Sequence, residues 1–436
     1  MQTDFLARAV TRPLRILAVA DTHVDDRMAL AGLSPVDSET GEPLVLAQAR
    51  RMMRWVGQVA RANEVDLIVH AGDLYERPRP SPAAERVAAE AIDDWCQVAP
   101  VVLLLGNHDR PHGEEAHALA PLRNRRPGRL YVADTPAPIT FDIFAPKGGS
   151  HFRAFNIDDH GLVAIFPVPY PSRSYLAEQV DGGADAVNAA VSQALQQVLT
   201  RHRVVAGQAR RMEMASMLLG HGTLRGASYR PHQTVPISDL QIGSDGFDAF
   251  DLVAWGHLHQ RQGVTGWPET MHGYVGSPDA HDFGEEGEAK GVTVFEYDFP
   301  KEGEASGQSA THRFIEYPGA RKFHTLTVEN FDAKFHPETE RASHADLCGE
   351  TIYRVVGEVA PETFERIASR VRQLKTVGWL IRTDCAVVRE SRSRVEDTRE
   401  ILGMEGAVKA ACQSRPDLAP LTDSILARVA ELRGGR

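Results

Sequence analysis

Leu14-Arg15-Ile16-Leu17-Ala18-Val19-Ala20-Asp21-Thr22-His23 is an apolar run of strand length that stops at three polar side chains, two of them able to bind a metal. The pattern returns twice. Val65 to Val69 ends at Ala71-Gly72-Asp73, and Val101 to Leu105 ends at Gly106-Asn107-His108-Asp109. Helical stretches separate these strands. Leu44 to Ala62 carries apolar residues at Leu46, Ala49, Met53, Val56 and Ala60, and Ser81-Pro82 opens a second helix, to Trp95, with an N-cap residue and a proline at its first position. Strands alternating with helices predict βαβ units and a sheet covered on both faces. Ligands of such sheets sit beyond the carboxyl ends of the strands, where the polar clusters fall.

Two later strands fit the scheme. Ser216 to Leu219 ends at Gly220-His221, and Leu252 to Trp255 ends at Gly256-His257-Leu258-His259. Leu130 to Phe166 reads as antiparallel strands, Ala184 to Arg201 as a helix, and Gly273 to Pro278 and Val292 to Tyr297 as closing strands. Gly284 to Gly291 and Lys301 to Gly307, rich in glycine and acid, read as loops. Beyond them the pattern changes. Phe323 to Val328 and Ile352 to Val359 alternate as half-buried strands, Pro361 to Leu374 reads as a helix, Lys375 to Glu390 is strand-like, and Val395 to Arg433 is helical. That predicts a small α+β domain followed by a helical tail.

The 436 residues are 42% hydrophobic and 25% charged, near globular norms, which excludes a disordered or fibrous chain. Nowhere do 18 apolar residues run together, so no membrane span is expected, and Met1 to Pro13 lacks the apolar core of a secretory signal. Cys96, Cys348, Cys385 and Cys412 lie too far apart for a zinc or disulfide framework, as expected of a reduced cytoplasmic protein. Net charge is −11, yet from Arg321 onward 19 basic residues meet 18 acidic ones, so the first 320 residues hold the whole acidic excess. That disfavours nucleic-acid binding through global charge and suits carboxylates gathered around divalent cations.

Taken singly, an Asp after a strand forms turns and a His there makes a hydrogen bond. Five clusters in order, each ending an apolar run, exceed what turn chemistry supplies. Asp21, His23, Asp73, Asn107, His221, His257 and His259 offer the carboxylate, amide and imidazole donors that suit manganese, iron or zinc. Seven ligands with one shared fill the eight protein positions of two octahedral ions that keep places for water.

This series resembles the five motifs of calcineurin-like metallophosphoesterases. Gly72-Asp73-Leu74-Tyr75 followed by Arg79-Pro80-Ser81-Pro82, the Leu218-Leu219-Gly220-His221-Gly222 turn, Gly276-Ser277-Pro278, and Phe283-Gly284-Glu285-Glu286 leading to Lys290-Gly291 resemble the SbcD double-strand-break repair nucleases, across residues 14 to 328. The resemblance implies an α/β fold: a four-layer αββα sandwich (1–320), a small C-terminal α+β cap that touches DNA (321–394) and a helical tail (395–436). It implies one cation, Mn²⁺ first with Fe or Zn as alternatives, held by Asp21, His23, Asp73 and His259. A second would lie on Asp73, Asn107, His221 and His257. His108 is then the proton donor to the leaving oxygen, with Asp109 either fixing its tautomer or serving as a turn or helix cap. Glu76 stands where some relatives carry a second His tied to duplex ends.

For DNA contact the candidates are Arg77 and Arg79, then Arg366, Arg370, Arg372, Lys375, Arg382, Arg389, Arg392 and Arg394, eight basic residues against Asp384 and Glu390. A solvated loop and a solvated helix face are the alternatives. The resemblance further implies a homodimer and an SbcC-type coiled-coil ATPase partner docking on Val395 to Arg433. The expected activity is metal-dependent hydrolysis of phosphodiesters at DNA ends or hairpins, in repair and recombination. A phosphoesterase for small esters and a non-catalytic scaffold are the other readings.

Overall fold

The computed structural model describes residues 12–30, 32–37, 39–111, 116–143, 149–156, 161–171, 183–229, 241–243, 245–263, 273–299, 309–335, 351–388, 406, 408–409, 411–412, 415 and 418–434. The first βαβ units are β1 (Leu14–Val19), α1 (Leu44–Ala62), β2 (Leu67–His70), α2 (Pro82–Val98) and β3 (Val101–Leu104), followed by β4 (Leu130–Ala133). Then come β5 (Ile139–Phe141), β6 (Phe152–Ala154), β7 (Val163–Val168), the long helix α3 (Gly183–Arg211), β8 (Ala215–His221) and β9 (Leu252–Gly256). The hairpin β10 (Gly291–Asp298) and β11 (Ser309–Glu316) closes the series.

These strands form two sheets, ordered β11-β10-β1-β2-β3-β4 and β9-β8-β7-β5-β6. β1 to β4 run parallel, as do β7, β8 and β9, while β10 and β11 in the first sheet and β5 and β6 in the second pair antiparallel. Side-chain alternation explains why the strands read as unbroken apolar runs. Ile16, Ala18, Leu67, Val69, Val102 and Leu104 point into the core between the sheets, where they meet Ile165, Met217 and Ala254. Leu17, Val19, Ile68, Val101 and Leu103 point the other way, onto α1 and α2. On the far side Phe166, Leu218 and Val253 pack against Val191, Leu195 and Leu199 of α3. The result is four layers, helix, sheet, sheet and helix. Each fully buried Leu, Ile or Val contributes about 1.5–3 kcal/mol through loss of apolar surface to water, so register is strongly fixed.

The helix starts follow their sequence signals. Ser81 caps α2, its side chain accepting the Ala84 N–H, with Pro82 at the first turn. Trp95 at the other end of α2 is fully buried and donates through Nε1 to the Met53 carbonyl on α1, at 2.9 Å.

Three readings need correction. β4 is parallel to β3 and extends the first sheet, because Val101 to Leu104 pair with Leu130 to Ala133 in register. Gly273 to Pro278 makes isolated bridges through Tyr274 and no strand. Lys375 and Thr376 belong to the preceding helix, and the strand-like stretch shrinks to Ile381–Thr383 and Ala386–Val387.

Beyond the sandwich, β12 (Lys322–Thr327), β13 (Thr351–Val356) and, after helix α4 (Pro361–Thr376), β14 (Ile381–Thr383) form a small parallel sheet. Two compact units divide the chain: Met1–Val356 with Ser369–Asp384, and Gly357–Ala368 with Cys385–Arg436. This small sheet therefore belongs to the first unit. The tail ends in the helix α5 (Thr422–Gly434). Among the described residues no helix is long and apolar enough to cross a membrane.

Candidate metal centre

The carboxyl ends of β1, β2, β3, β8 and β9 meet at one rim. The turn after β1 delivers Asp21 and His23, the turn after β2 delivers Asp73, and the turn after β3 delivers Asn107 and His108. His221 ends β8, and His257 and His259 follow β9. The backbone is bent hard to aim them. Asp21, His23, Asp73 and His257 all have positive φ (52°, 43°, 56° and 102°), a conformation rare without glycine that gathers at functional sites. Glycines supply the remaining room. Gly72 has φ 94°, and a side chain there would overlap the His221 ring; one on Gly106 would overlap the amide and carboxylate of Asp73.

Three donor groups result, Asp21 with His23 and His259, Asp73 with His221 and His257, and His23 with Glu76 and His108. His23 Nε2 lies 3.1 Å from His259 Nε2. Asn107 Oδ1 lies 2.9 Å from both His221 Nε2 and His257 Nδ1, and Asp73 Oδ2 lies 3.3 Å from His221 Nε2 and 3.9 Å from His23 Nε2. Adjacent donors around an octahedral ion with bonds of about 2.1 Å stand about 3 Å apart, so the donor set fits a cation pair that shares Asp73. All seven expected ligands converge here. The Asp73 oxygen that faces away from them accepts the His108 N–H at 2.8 Å.

Burial works against ionising Asp73, but His221, His23 and His108 beside it outweigh that and hold its carboxyl well below the usual range. The same pairing raises His221 despite burial. A cation entering this half must therefore displace a proton, and binding should release it to solvent.

Around these donors lies a second layer of residues, several of them within the quoted motifs, whose contacts the sequence did not foretell. Glu76 Oε2 is 2.8 Å from His23 Nδ1, and Glu285 Oε1 is 2.6 Å from His259 Nδ1. The other Glu285 oxygen lies 2.6 Å from Lys290 Nζ, in an ion pair with side chains only 2% and 5% exposed. Lys290 also bonds the His259 carbonyl and Ser277 Oγ. His221 Nδ1 faces a neutral partner, the Ala71 carbonyl, at 2.7 Å. Burial would raise Glu285, and His259 and Lys290 hold it well below its ordinary value instead. His281 packs 4.8 Å from both the His23 and His259 rings, its own nitrogens buried without a hydrogen-bond partner among the described residues. Tyr170, just past β7, sets its ring 6.2 Å from His221 and from His257.

His108 and Asp109 part company. His108 Nδ1 lies 2.8 Å from the Glu76 carbonyl oxygen, which fixes its tautomer. Asp109, fully buried, instead accepts the N–H groups of Leu74, Tyr75 and Gly106 at 3.3, 3.0 and 3.1 Å. It clasps the turn after β2 to the turn after β3 and does not hold the His108 ring. Burial and the nearby Asp73 charge push its carboxyl up to about 7.

Of the basic candidates, Arg77 pairs with buried Asp25 at 3.5 Å, and Arg79 and Arg366 also have partners. Arg370 bonds Gln373 and the Phe335 carbonyl, Arg372 is exposed, and Lys375 lies in the last turn of α4. Arg382 pairs with Asp384 and lies 5.0 Å from the Phe283 ring centroid. Arg389, Arg392 and Arg394 fall outside the described residues, as does 395–405 at the start of the Val395 to Arg433 stretch.

The sequence profile of the calcineurin-like phosphoesterases matches residues 14–261, more than half of the chain and every one of the seven donors. The chain belongs to the calcineurin-like phosphoesterase family. Among relatives of this phosphoesterase, the SbcD subunit of nuclease SbcCD from Bacillus subtilis (strain 168) is 27% identical over 289 residues, covering 64% of this chain and 66% of its own. The SbcD subunit of nuclease SbcCD from Rhodobacter capsulatus is 27% identical over 299 residues, with 65% and 66% covered. The chain thus spans just under two thirds of the length of these curated relatives. A dimetal phosphatase from Danio rerio is 12% identical with a TM-score of 0.36, covering 70% of this chain and 99% of that one, a likeness too remote to carry weight.

Proposed function

We propose that this phosphoesterase is a two-cation DNA nuclease component of the SbcD kind, hydrolysing phosphodiesters at ends or hairpins. The observation that carries the reading is the pair of donor triads, Asp21 with His23 and His259 and Asp73 with His221 and His257. The names of the two bacterial relatives support DNA as the substrate. Asp21, His23, Asp73 and His259 would hold one divalent ion, and Asp73, Asn107, His221 and His257 the other. Imidazole with carboxylate suits Mn²⁺, Fe or Zn, and the SbcD resemblance puts Mn²⁺ first. Bound there, two such ions lower the pKa of a shared water and offset charge on the phosphoryl oxygens.

His108 would do the remaining proton transfer. Its Nδ1–H donates to the Glu76 carbonyl, so the proton it can give to the leaving oxygen is the one on Nε2. The basic residues of α4 and β14 would contact the DNA backbone, and 321–394 would act as a cap. The helical tail would dock an SbcC-type ATPase, in a cytoplasmic homodimer.

Mn²⁺-dependent cleavage of a hairpin DNA, compared with bis-(p-nitrophenyl) phosphate, tests the reading. Hairpin cleavage that disappears in Asp73→Asn, with the circular dichroism spectrum unchanged, is the expected result. Turnover of the aryl ester alone would instead favour a small-ester phosphoesterase, which the acidic excess of the first 320 residues would suit.

A further inference from the structure

Arg110 directly follows the Asn107-His108-Asp109 turn, and the fold leaves its charge without a partner. Its side chain is half-buried, its Nε is closed off from solvent, and among the described residues no hydrogen bond or ion pair reaches its guanidinium. Burial works against that charge, and Asp134 opposes burial only through space. Asp134 is already engaged. Its Oδ2 lies 3.1 Å from His117 Nε2 and accepts from the Arg123 guanidinium. Two guanidiniums therefore share one carboxylate, in a part of the chain whose overall excess is acidic.

A charge held away from water is ordinarily paired, so an unpaired one at a rim calls for an anion from outside. The planar fork of a guanidinium matches phosphate oxygens closely. Position narrows the choice. β4 runs parallel to β3, about 4.8 Å away, and the Leu105 N–H bonds the Ala133 carbonyl at 3.2 Å. Asp134, the next residue, thus stands on the rim that gathers the seven donors, one strand over from the turn that carries His108. His108 faces the leaving oxygen in the reading above. Arg110, two residues on and within the field of Asp134, falls on that side of the scissile phosphorus.

We propose that Arg110 receives the backbone phosphate next to the scissile one, on the leaving-group side, and so favours a polymeric diester over a small one. The proposal rests on the DNA nuclease reading above. A small aryl diester carries no second phosphate and offers this guanidinium nothing to bind. A nucleic-acid strand brings one at every residue, and each exchanges an unpaired buried charge for a charge-assisted hydrogen bond.

The test uses the full chain with Mn²⁺, a hairpin DNA whose cut has been mapped, and bis-(p-nitrophenyl) phosphate, which has a single phosphorus. Arg110→Ala should lower kcat/KM on the hairpin by about 10–100-fold more than on the aryl ester, the range for loss of one charged hydrogen bond. Arg110→Lys, which keeps the charge without the fork, should lose less. A neutral methylphosphonate in place of the flanking phosphate should cost the wild type a similar factor and cost Arg110→Ala nothing further. Equal losses on both substrates would make Arg110 a support of its turn and overturn the proposal, as would a methylphosphonate penalty of the same size in both proteins. Failure of the wild type to cut the hairpin would instead remove the nuclease reading, and the proposal with it.

Discussion

Asp109→Ala should unfold this protein at much lower denaturant, for a reason that can be counted. The carboxylate accepts the Tyr75 and Gly106 N–H groups at 3.0 and 3.1 Å, with Leu74 N–H more weakly at 3.3 Å. All lie buried, and Ala offers none of them an acceptor. An orphaned buried N–H costs about 1–3 kcal/mol, so the two good bonds alone put the loss at about 2–6 kcal/mol. Asp109→Asn keeps one carbonyl oxygen but turns its NH₂ toward a second N–H, so its loss should be about half as large. Urea unfolding followed by far-ultraviolet circular dichroism measures both, and the order should be wild type, then Asn, then Ala. A pH series adds a sign. Asp109 is pushed up to about 7 by burial and by Asp73, so in metal-free protein its ionisation subtracts stability as pH climbs from about 4 toward 7. The Asn variant should lack that slope. If Asp109→Asn keeps full stability yet loses the acid limb of the pH–rate profile, Asp109 serves His108 and the clasp between the two turns is wrong.

Two further outcomes can be checked directly. His108→Ser should still bind two Mn²⁺ by calorimetry while turnover falls by about 10²–10⁴-fold, the range for one general acid, whereas loss of an ion would make His108 a ligand. Burial pushes the Cys96 thiol up to about 12, so at pH 8 native protein should alkylate there about 10³-fold more slowly than an unfolded cysteine; rapid labelling mapped by mass spectrometry would show that α2 opens.

How much of this was legible beforehand follows from where each signal resides. The parallel strands at the centre of both sheets stood out because their two faces are buried, leaving apolar runs such as residues 16–20 and 252–255 that end at a polar turn. The seven donors stood out because each sits at such an end, although His23 and His259 are 236 residues apart. Glu76 and Glu285 carried no such mark. One follows a motif as though in a solvated loop, and the other lies in a glycine- and acid-rich stretch where a charged residue ordinarily faces water; only the fold brings Lys290 and His259 to it. Asp109 was visible as a residue but not as a clasp, since its partners Leu74 and Tyr75 belong to another turn. Gly273 to Pro278 looked like a strand by composition, and only Tyr274 makes bridges.

The loop that carries Glu285 also grips the small parallel sheet. Asp279 takes the Arg321 backbone N–H and guanidinium at 2.7 and 2.8 Å, Phe283 meets Phe323 at 4.9 Å, and Glu286 accepts from Thr325. Anyone wishing to isolate the hydrolytic half by truncating at residue 320, where the charge pattern invites a cut, would therefore strip a buried carboxylate of its guanidinium and leave an aromatic ring bare. Dissection at that point should yield an aggregating fragment, and a usable boundary has to lie further along the chain.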